Sequence, residues 1–525
     1  MKIIFKIIFF LILILVILIT YLSIFGIETT KFNQKIQSKI REINSNLIVE
    51  LKDVKLILNP LELNLSIKTI GPKVISESKS LDIQNIETNI SLKSLLNNEF
   101  LIEQVEISTK SIELDNLISF TKSIYQLPEL IILEKLFKIK GYLIADIKLE
   151  FDEIGNLKDN YTVNGFVKET KLKTLKNNNI DKINFFFRIS KEDFIFENIK
   201  LRFKDYILNS EIISVKKNNG DFLVKGNFKN DIVELNEKDL ELLKENIFFN
   251  IDFSKVKFSS KNNFSFKVDK KFKFKDKKII SKIQLHEAKI LNNLNLNSIF
   301  PDIKKEIRLL NNEINLDYKK NFLLINGNGK VLLQKTEDLI SYKFKKDKNR
   351  STFENLLKIK KNPFLIELLN YEKNKDEETI LKINGYKDKN DDIYIKAATL
   401  NEVKNKIGIN DIHFDSNYRL INFGNINLDY TDKDKQKNLI NIKRKKENYI
   451  LDGIYVNADN LVEKILFEDS DNSFLNKNFN IDIKIENVRL DNEFLLRDFN
   501  GNLYFKKGKL SKGNLNGKFS DNKEM

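Results

Sequence analysis

The sequence predicts a mainly β protein: an N-terminal transmembrane helix followed by an elongated, curved, repeat-like antiparallel β groove with helical inserts. Three observations predict it. The chain opens on a long uncharged apolar run, most of the remaining chain alternates apolar and polar residues, and turn dipeptides recur between the alternating stretches. The chain accordingly divides into three segments: an anchor at 1–27, a region of amphipathic helix plus strands at 28–115, and a β-rich body at 116–525.

The anchor is the strongest signal. From Ile7 to Phe25 every residue is apolar except Thr20, Tyr21 and Ser23, and no charge lies between Lys6 and Glu28. A helix rises about 1.5 Å per residue, so this run matches a hydrocarbon core of roughly 30 Å. Ile7, Phe9, Leu11, Leu13, Leu15, Ile17, Ile19, Leu22 and Phe25 are the expected membrane-anchor residues. A cleaved signal peptide would have a shorter apolar region and small residues at its cleavage site. Here Gly26-Ile27-Glu28-Thr29-Thr30 offers no such site. Lys2, Lys6 and the free amino terminus favour a cytoplasmic N-terminus. Lys31, Lys35, Lys39 and Arg41 weigh little against them, because long translocated domains largely escape the positive-inside rule. A single pass is expected, with the body outside the cytoplasm.

Composition narrows the function classes. With 525 residues, several domains or an extended repeat-like body are expected. The chain has no cysteine, which removes disulfides, thiolate metal sites and a cysteine nucleophile. A net charge of +15 invites a nucleic-acid reading. The lysines, however, are spread evenly among 74 acidic residues, and Ile, Lys, Asn and Phe are enriched together. That joint bias reads as an AT-rich coding sequence, and Lys443-Arg444-Lys445-Lys446 as a solvated turn. No nucleic-acid partner is expected.

Behind the anchor, Phe32, Ile36, Ile40, Ile43 and Leu47 recur at spacings of three and four, one face of a helix. Alternation then takes over. Leu61, Leu63, Leu65 and Ile67 form one period-two run, Phe249, Ile251 and Phe253 another, and Phe264, Phe266 and Val268 a third, extended by Phe272 and Phe274. Strict alternation gives a sheet one apolar and one wet face. Asn-Gly pairs at Asn164-Gly165, Asn219-Gly220, Asn384-Gly385 and Asn500-Gly501 are hairpin signals or strand-interior glycines. Three stretches break the pattern and read as helical: Asn116 to Lys138, Asp231 to Asn246, and Thr352 to Tyr371 with Pro363 interrupting it.

A faint repeat runs through the chain. The pattern apolar-x-Asn/Asp-apolar-basic-apolar occurs at Leu51–Leu56, Phe196–Leu201, Ile409–Phe414 and Ile485–Leu490. Its apolar positions at i, i+3 and i+5 slip the alternation by one residue, which a β-bulge would absorb. An apolar-x-Gly pattern recurs at Gly165, Gly226, Gly385, Gly453 and Gly517. If these are units, the sheet gains length by stacking them.

Catalytic motifs are sparse. His286 and His413 are the two histidines and lie far apart. Gly327-x-Gly329 lacks the third glycine of a dinucleotide fingerprint. Asp388-x-Asn390-x-Asp392 opens like a calcium loop but carries Ile393 at the turn-glycine position and Thr399 in place of the bidentate Glu. Neither an enzyme nor a cofactor is expected, and a hydrolase would need an acid–base cluster assembled by the fold.

The N-terminal region resembles the AsmA-like family. A membrane helix, an amphipathic helix and Val54-Lys-Leu-Ile-Leu-Asn-Pro-Leu-Glu-Leu-Asn-Leu65 look like the opening of such proteins. Leu81 to Leu96 followed by Ile102-Glu-Gln-Val-Glu-Ile107 is similar to the family's most recognisable stretch. Tyr449 to Ile465 resembles its YhdP branch. The resemblance covers roughly the first hundred residues well and the rest diffusely. It implies an inner-membrane protein of a Gram-negative envelope, its body in the periplasm, carrying phospholipid along an apolar β groove and working with other envelope proteins. Leu61, Leu63, Leu65, Phe249, Ile251, Phe253, Phe264 and Phe266 are then the candidate groove residues. Relatives are often longer, and this chain stops at Lys523-Glu524-Met525, which leaves open a C-terminal truncation. The other reading is a filled core in a non-catalytic scaffold or assembly factor for outer-membrane biogenesis. An uncovered apolar face favours the first and a closed sandwich the second.

Overall fold

A computed structural model of the chain describes residues 2–52, 54–96, 101–124, 137–152, 156–174, 179–218, 220–246, 251–269, 271, 273–293, 296–461, 477–490 and 494–519. Strands hold 65% of it and helices 13%, with an N-terminal apolar helix and no closure into a barrel, so the mainly β class is met. The chain divides into two compact units, 1–230 with 263–276, and 231–262 with 277–525.

The first unit opens with the helix Lys2–Ile24, long and apolar enough to cross a membrane and exposed or half-exposed throughout. Two of its three hydroxyls are satisfied inside the helix: Thr20 Oγ1 donates to the Val16 carbonyl at 2.7 Å and Ser23 Oγ to Ile19 at 2.8 Å. A spanning helix needs this, because the hydrocarbon offers no partner. Gly26, at φ +68°, ends the helix, and a Cβ there would strike the Leu56 carbonyl. The short strand Ile27–Thr29 then pairs antiparallel with Val54–Asn59.

The amphipathic helix spans Asn33–Ile43, and Leu47 belongs to the next strand, Leu47–Glu50, rather than to the helix as the spacing predicted. Phe32 and Ile36 pack on Val54, Ile67 and Ile90, as the apolar face requires. Asn33 Nδ2 and Gln37 Nε2 donate to the carbonyls of Lys52 and Val49. Those side-chain bonds hold the chain extended just where the spacing would have continued the helix.

From Val54 onward the first unit is a ladder of antiparallel neighbours. Its rungs are Val54–Asn59, Asn64–Ile70, Lys79–Ser91, Ile102–Thr109, Phe137–Glu150, Thr162–Thr174, Asn179–Ile189, Asp193–Phe203, Tyr206–Asn218 and Asp221–Glu234. The helix predicted from Asn116 is Leu114–Ile124, and residues 125–136 lie outside the described set.

The second unit carries Glu237–Asn246, the helical part of the predicted 231–246 stretch. Its ladder runs from Phe274–Leu291 through Glu306–Lys319, Phe322–Leu332, Asp338–Lys346, Ser351–Ile359, Thr379–Lys387, Ile393–Asn401, Lys406–Phe414, Ile426–Thr431, Lys437–Lys445 and Asn448–Asn457. Asn448–Asn457 then pairs parallel with Phe479–Leu490, a departure from the all-antiparallel expectation. Parallel neighbours need a connection of a dozen or more residues, and residues 458–478 separate these two strands in the sequence. Phe494–Lys506 and Lys509–Phe519 complete the ladder antiparallel.

The helix predicted from Thr352 is corrected. Residues 351–359 form a strand hydrogen-bonded on both sides, and 360–378 fold into a compact insert with the hairpin Leu365–Ile366/Tyr371–Glu372 and one short turn of 3-10 helix. Leu and Glu favour helices, but two flanking ladders override so weak a preference.

The predicted bulges are present at two sites. Asn198 (φ +53°) and Asp411 (φ +54°) take left-handed backbone inside strands, and the register slips where Asn198 faces the preceding strand. Phe196, Ile199 and Leu201 thereby stay on one face. At Ile485–Asn487 the pairing stays in register instead, and Asp53 of the first copy is outside the described residues.

Candidate functional site

Cross-strand register turns the alternation into continuous apolar rows. In the first unit one row runs Ile107–Ile147–Val163–Ile189–Phe194–Val215–Val224 across seven strands. The adjacent row on the same face runs Ala145–Gly165–Phe187–Phe196–Ile213–Gly226. The two glycines are not turn residues. A Cβ at Gly165 would fall on the Phe187 ring, and one at Gly226 would stand 2.9 Å from Phe264 Cζ. Each glycine lets an aromatic ring lie flat across the sheet. Phe264 continues this face, stacked on Phe228 at 5.5 Å and on Phe266 at 5.9 Å. The helix Leu114–Ile124 covers one end, where Phe120 is buried with Leu81, Ile83 and Ile112. The strands from Asn179 to Glu234 keep the side chains of these two rows half-buried apart from Phe187, while Ile183 and Ile199 beside them are buried.

The second unit repeats the arrangement with one difference. The row Leu381–Leu400–Ile407–Leu428–Ile440 is almost wholly enclosed. Phe364, Ile366, Leu369 and Tyr371 of the 360–378 insert, together with Ile299 and Phe300, pack over that core. One row across, Ile383–Ala398–Ile409–Ile426–Ile442–Leu451–Ile483 lies on the same face, crosses those five strands and two more, and is exposed at Ile383 and half-buried beyond it, with Ile426, Ile442, Leu451 and Ile483 resting against the edge of that core. Between them, on the other face, runs the polar row Lys382–Thr399–Gly408–Asn427–Asn441–Asp452–Lys484. Tyr342 lies across Gly327 on the apolar face, and burial pushes its phenol up to about 12.

The individual candidates fare differently. Phe264 and Phe266 stand on the apolar face of the first unit. Leu65 is in the strand Asn64–Ile70, half-buried on the face that the Asn33–Ile43 helix overlies. Leu61 and Leu63 are not in a strand: they occupy a hairpin turn, 94% and 66% exposed. Asn59-Pro60 explains it, since the Asn59 Oδ1 accepts from the backbone of Leu61 and Glu62 and closes the turn. Phe253 begins the strand Phe253–Val268 but packs with Val256, Leu285 and Ala288 under Leu240 and Leu243 of the Glu237–Asn246 helix. Ile251 precedes that strand, half-buried, and Phe249 and Phe272 lie outside the described residues. The open rows of the second unit were missed; their signal was the period-two spacing of Ile and Leu from 379 to 451.

Polar chemistry gathers at one end of the second unit's strands. Asn362 Nδ2 donates to Asp338 Oδ2 at 2.7 Å, and Gln334 Nε2 donates to the Pro363 carbonyl at 2.8 Å. Lys373 is buried, its Nζ donating to the carbonyls of Lys360 (3.0 Å) and Asn374 (2.7 Å). Burial drives the Lys373 ammonium down and the Asp338 carboxyl up from their ordinary ranges. Further along, Asn438 and Asn457 both donate to Asp432 Oδ2 at 3.1 Å. These groups bond to one another and to turn carbonyls, so they clasp the 360–378 insert and the strand ends. His413 stacks on Tyr394 at 4.2 Å and meets Asp392 at 3.1 Å, while Asp388 Oδ1 accepts from the backbone of Asn390 and Asp392 and so closes the turn between two strands. Among the described residues no group of three or more His, Asp or Glu is placed to hold a metal ion. In comparisons with family models, curated proteins and solved structures, nothing matches this chain.

Proposed function

We propose that this is a non-catalytic, AsmA-like protein anchored in the inner membrane, whose periplasmic body shelters phospholipid acyl chains on the apolar face of its ladders. The observation that carries the reading is the half-exposed row from Ile383 to Ile483. It keeps apolar side chains in line across seven strands, with the polar row on the opposite face. A contiguous apolar strip that is exposed at Ile383 and half-exposed at Ala398 and Ile409 supports a binding surface. Each methylene laid against it gains about 0.8 kcal/mol, so an acyl chain is a natural occupant while its head group stays in water. The enclosed row under the 360–378 insert favours the second reading, a scaffold or assembly factor with a filled core, for that strip alone.

Photocrosslinking tests the proposal. The full chain is reconstituted in vesicles containing a phospholipid with a diazirine in its acyl chain, and crosslinked peptides are mapped by mass spectrometry. Crosslinks are expected in the strands carrying Ile383, Ile409 and Ile426 as well as in the helix Lys2–Ile24. Ile383→Asp should reduce the body crosslinks several-fold, and Lys382→Asp, one residue along on the opposite face, should leave them unchanged. Crosslinks confined to the N-terminal helix would sink the lipid reading and favour the scaffold.

A further inference from the structure

We propose that the hairpin turn between Val54–Asn59 and Asn64–Ile70 is a second membrane contact, with Leu61 and Leu63 seated at the boundary between lipid head groups and acyl chains. The inference rests on the N-terminal helix spanning a bilayer.

Register places the turn there. The chain leaves the helix at Gly26 and runs from Ile27 to Thr29, paired with Leu56, Lys55 and Val54 in that order. The partner strand therefore travels back toward the helix end. It passes the Ile27 pairing by Ile57, Leu58 and Asn59, about 10 Å at roughly 3.3 Å per residue, before it turns. The tip thus reaches at least as far as the point where the chain enters the bilayer. A contact at that level is continuous with the surface of the anchor itself.

The turn is built to lead with its leucines. Asn59 Nδ2 and Asn64 Nδ2 each donate to Glu62 Oε2 at 3.0 Å, which draws the one charged side chain of the turn back over it. The Asn59 Oδ1 holds the Leu61 and Glu62 amides, Pro60 has no N–H to satisfy, and the Leu63 carbonyl accepts from the Leu92 amide at 3.0 Å. With its backbone tied in this way, the tip presents Leu61 at 94% and Leu63 at 66% exposure. Scattered exposed leucines are ordinary on a protein surface. Two on one anchored turn, beside the exit of a membrane helix, are the arrangement that partitions into an interface.

The chain contains no tryptophan, so single substitutions give clean depth probes. Leu61→Trp, Leu63→Trp, Leu15→Trp and Ser78→Trp are each made in the full chain, in nanodiscs of phosphatidylethanolamine and phosphatidylglycerol brominated high on the acyl chain. Ser78 is exposed in the turn that precedes the 13-residue strand Lys79–Ser91, whose other end, Ser91, pairs with Asn64. It stands about 40 Å from the proposed contact along that strand. Leu61→Trp and Leu63→Trp should show blue-shifted emission and several-fold stronger bromine quenching than Ser78→Trp. If both behave like Ser78→Trp while Leu15→Trp is quenched, the turn is out of the bilayer and the inference fails with the anchor intact. A blue shift without quenching also overturns it, because protein rather than lipid then covers the turn. If Leu15→Trp itself escapes quenching, the spanning helix fails and this inference with it.

Discussion

Two strips of the second unit differ by a single step along the same strands, and their fates diverge. Leu400 is 4% exposed and Ile383, one row across on the same face, is 39% exposed. Both come from the same alternation, and both sit between neighbours hydrogen-bonded on each side. What separates them is the 360–378 insert, which brings Phe364, Leu369 and Tyr371 over one strip and leaves the Ile383 end of the other open to solvent. Alternation chooses the apolar face. Inserts decide how much of that face remains available to a ligand.

The comparison breaks first at its energetic end. Leu400→Ala empties a filled site and should cost about 2–5 kcal/mol, whereas Ile383→Ala should cost about 1 kcal/mol or less. Chemical denaturation of the full chain in detergent measures both, and equal losses would mean that the open strip is packed after all. The glycines sharpen the contrast at a smaller scale. Gly327→Ala drives a methyl into the Tyr342 ring and should cost about 1–3 kcal/mol. Gly408→Ala meets only Thr399 Cγ2 at 3.9 Å and should be neutral or stabilise by about 0.4–1 kcal/mol. A loss at Gly408 matching that at Gly327 would show that strand geometry, not ring packing, demands glycine.

The smallest effect is in pH. Tyr342 moves from 10.0 in the open chain to about 12, because burial disfavours the phenolate. A group raised in the folded state contributes stability that is complete below pH 10 and fades as pH rises toward 12. The absorbance at 295 nm of the intact protein minus that of Tyr342→Phe should therefore titrate near 12. A midpoint near 10 would show that water reaches the phenol on this face.

The helix Lys2–Ile24 and the mainly β body were legible because each depends on local periodicity. An uncharged run from Ile7 to Ile27 and a two-residue repeat report their environment directly. Leu61 and Leu63 were misread for a physical reason: a turn can continue a period-two pattern by accident, and Asn59-Pro60 was the contrary signal. Phe253 was legible as strand but not as covered, since the Glu237–Asn246 helix that buries it is a tertiary event. The same holds for 351–359, where Thr352 to Leu357 mixes helix formers that two neighbouring strands pull into the ladder. The open Ile383 row needed register, which depends on bulges such as Asn198 and Asp411 that a single sequence places only in part.

The parallel pair at Asn448–Asn457 and Phe479–Leu490 has a consequence for how the chain assembles. Most other rungs pair antiparallel with the rung before them, many through a short turn, so each can zip onto the last as soon as both have emerged. The strand from Phe479 cannot; it pairs parallel, and so docks only after residues 458–478 have been synthesised. Loop closure makes that step slower than any hairpin. Until it happens, Asn448–Asn457 is an unpaired edge of main-chain donors and acceptors, open to any passing strand. Docking of the strand from Phe479 covers that edge, so a chain interrupted within 458–478 would leave it open to association.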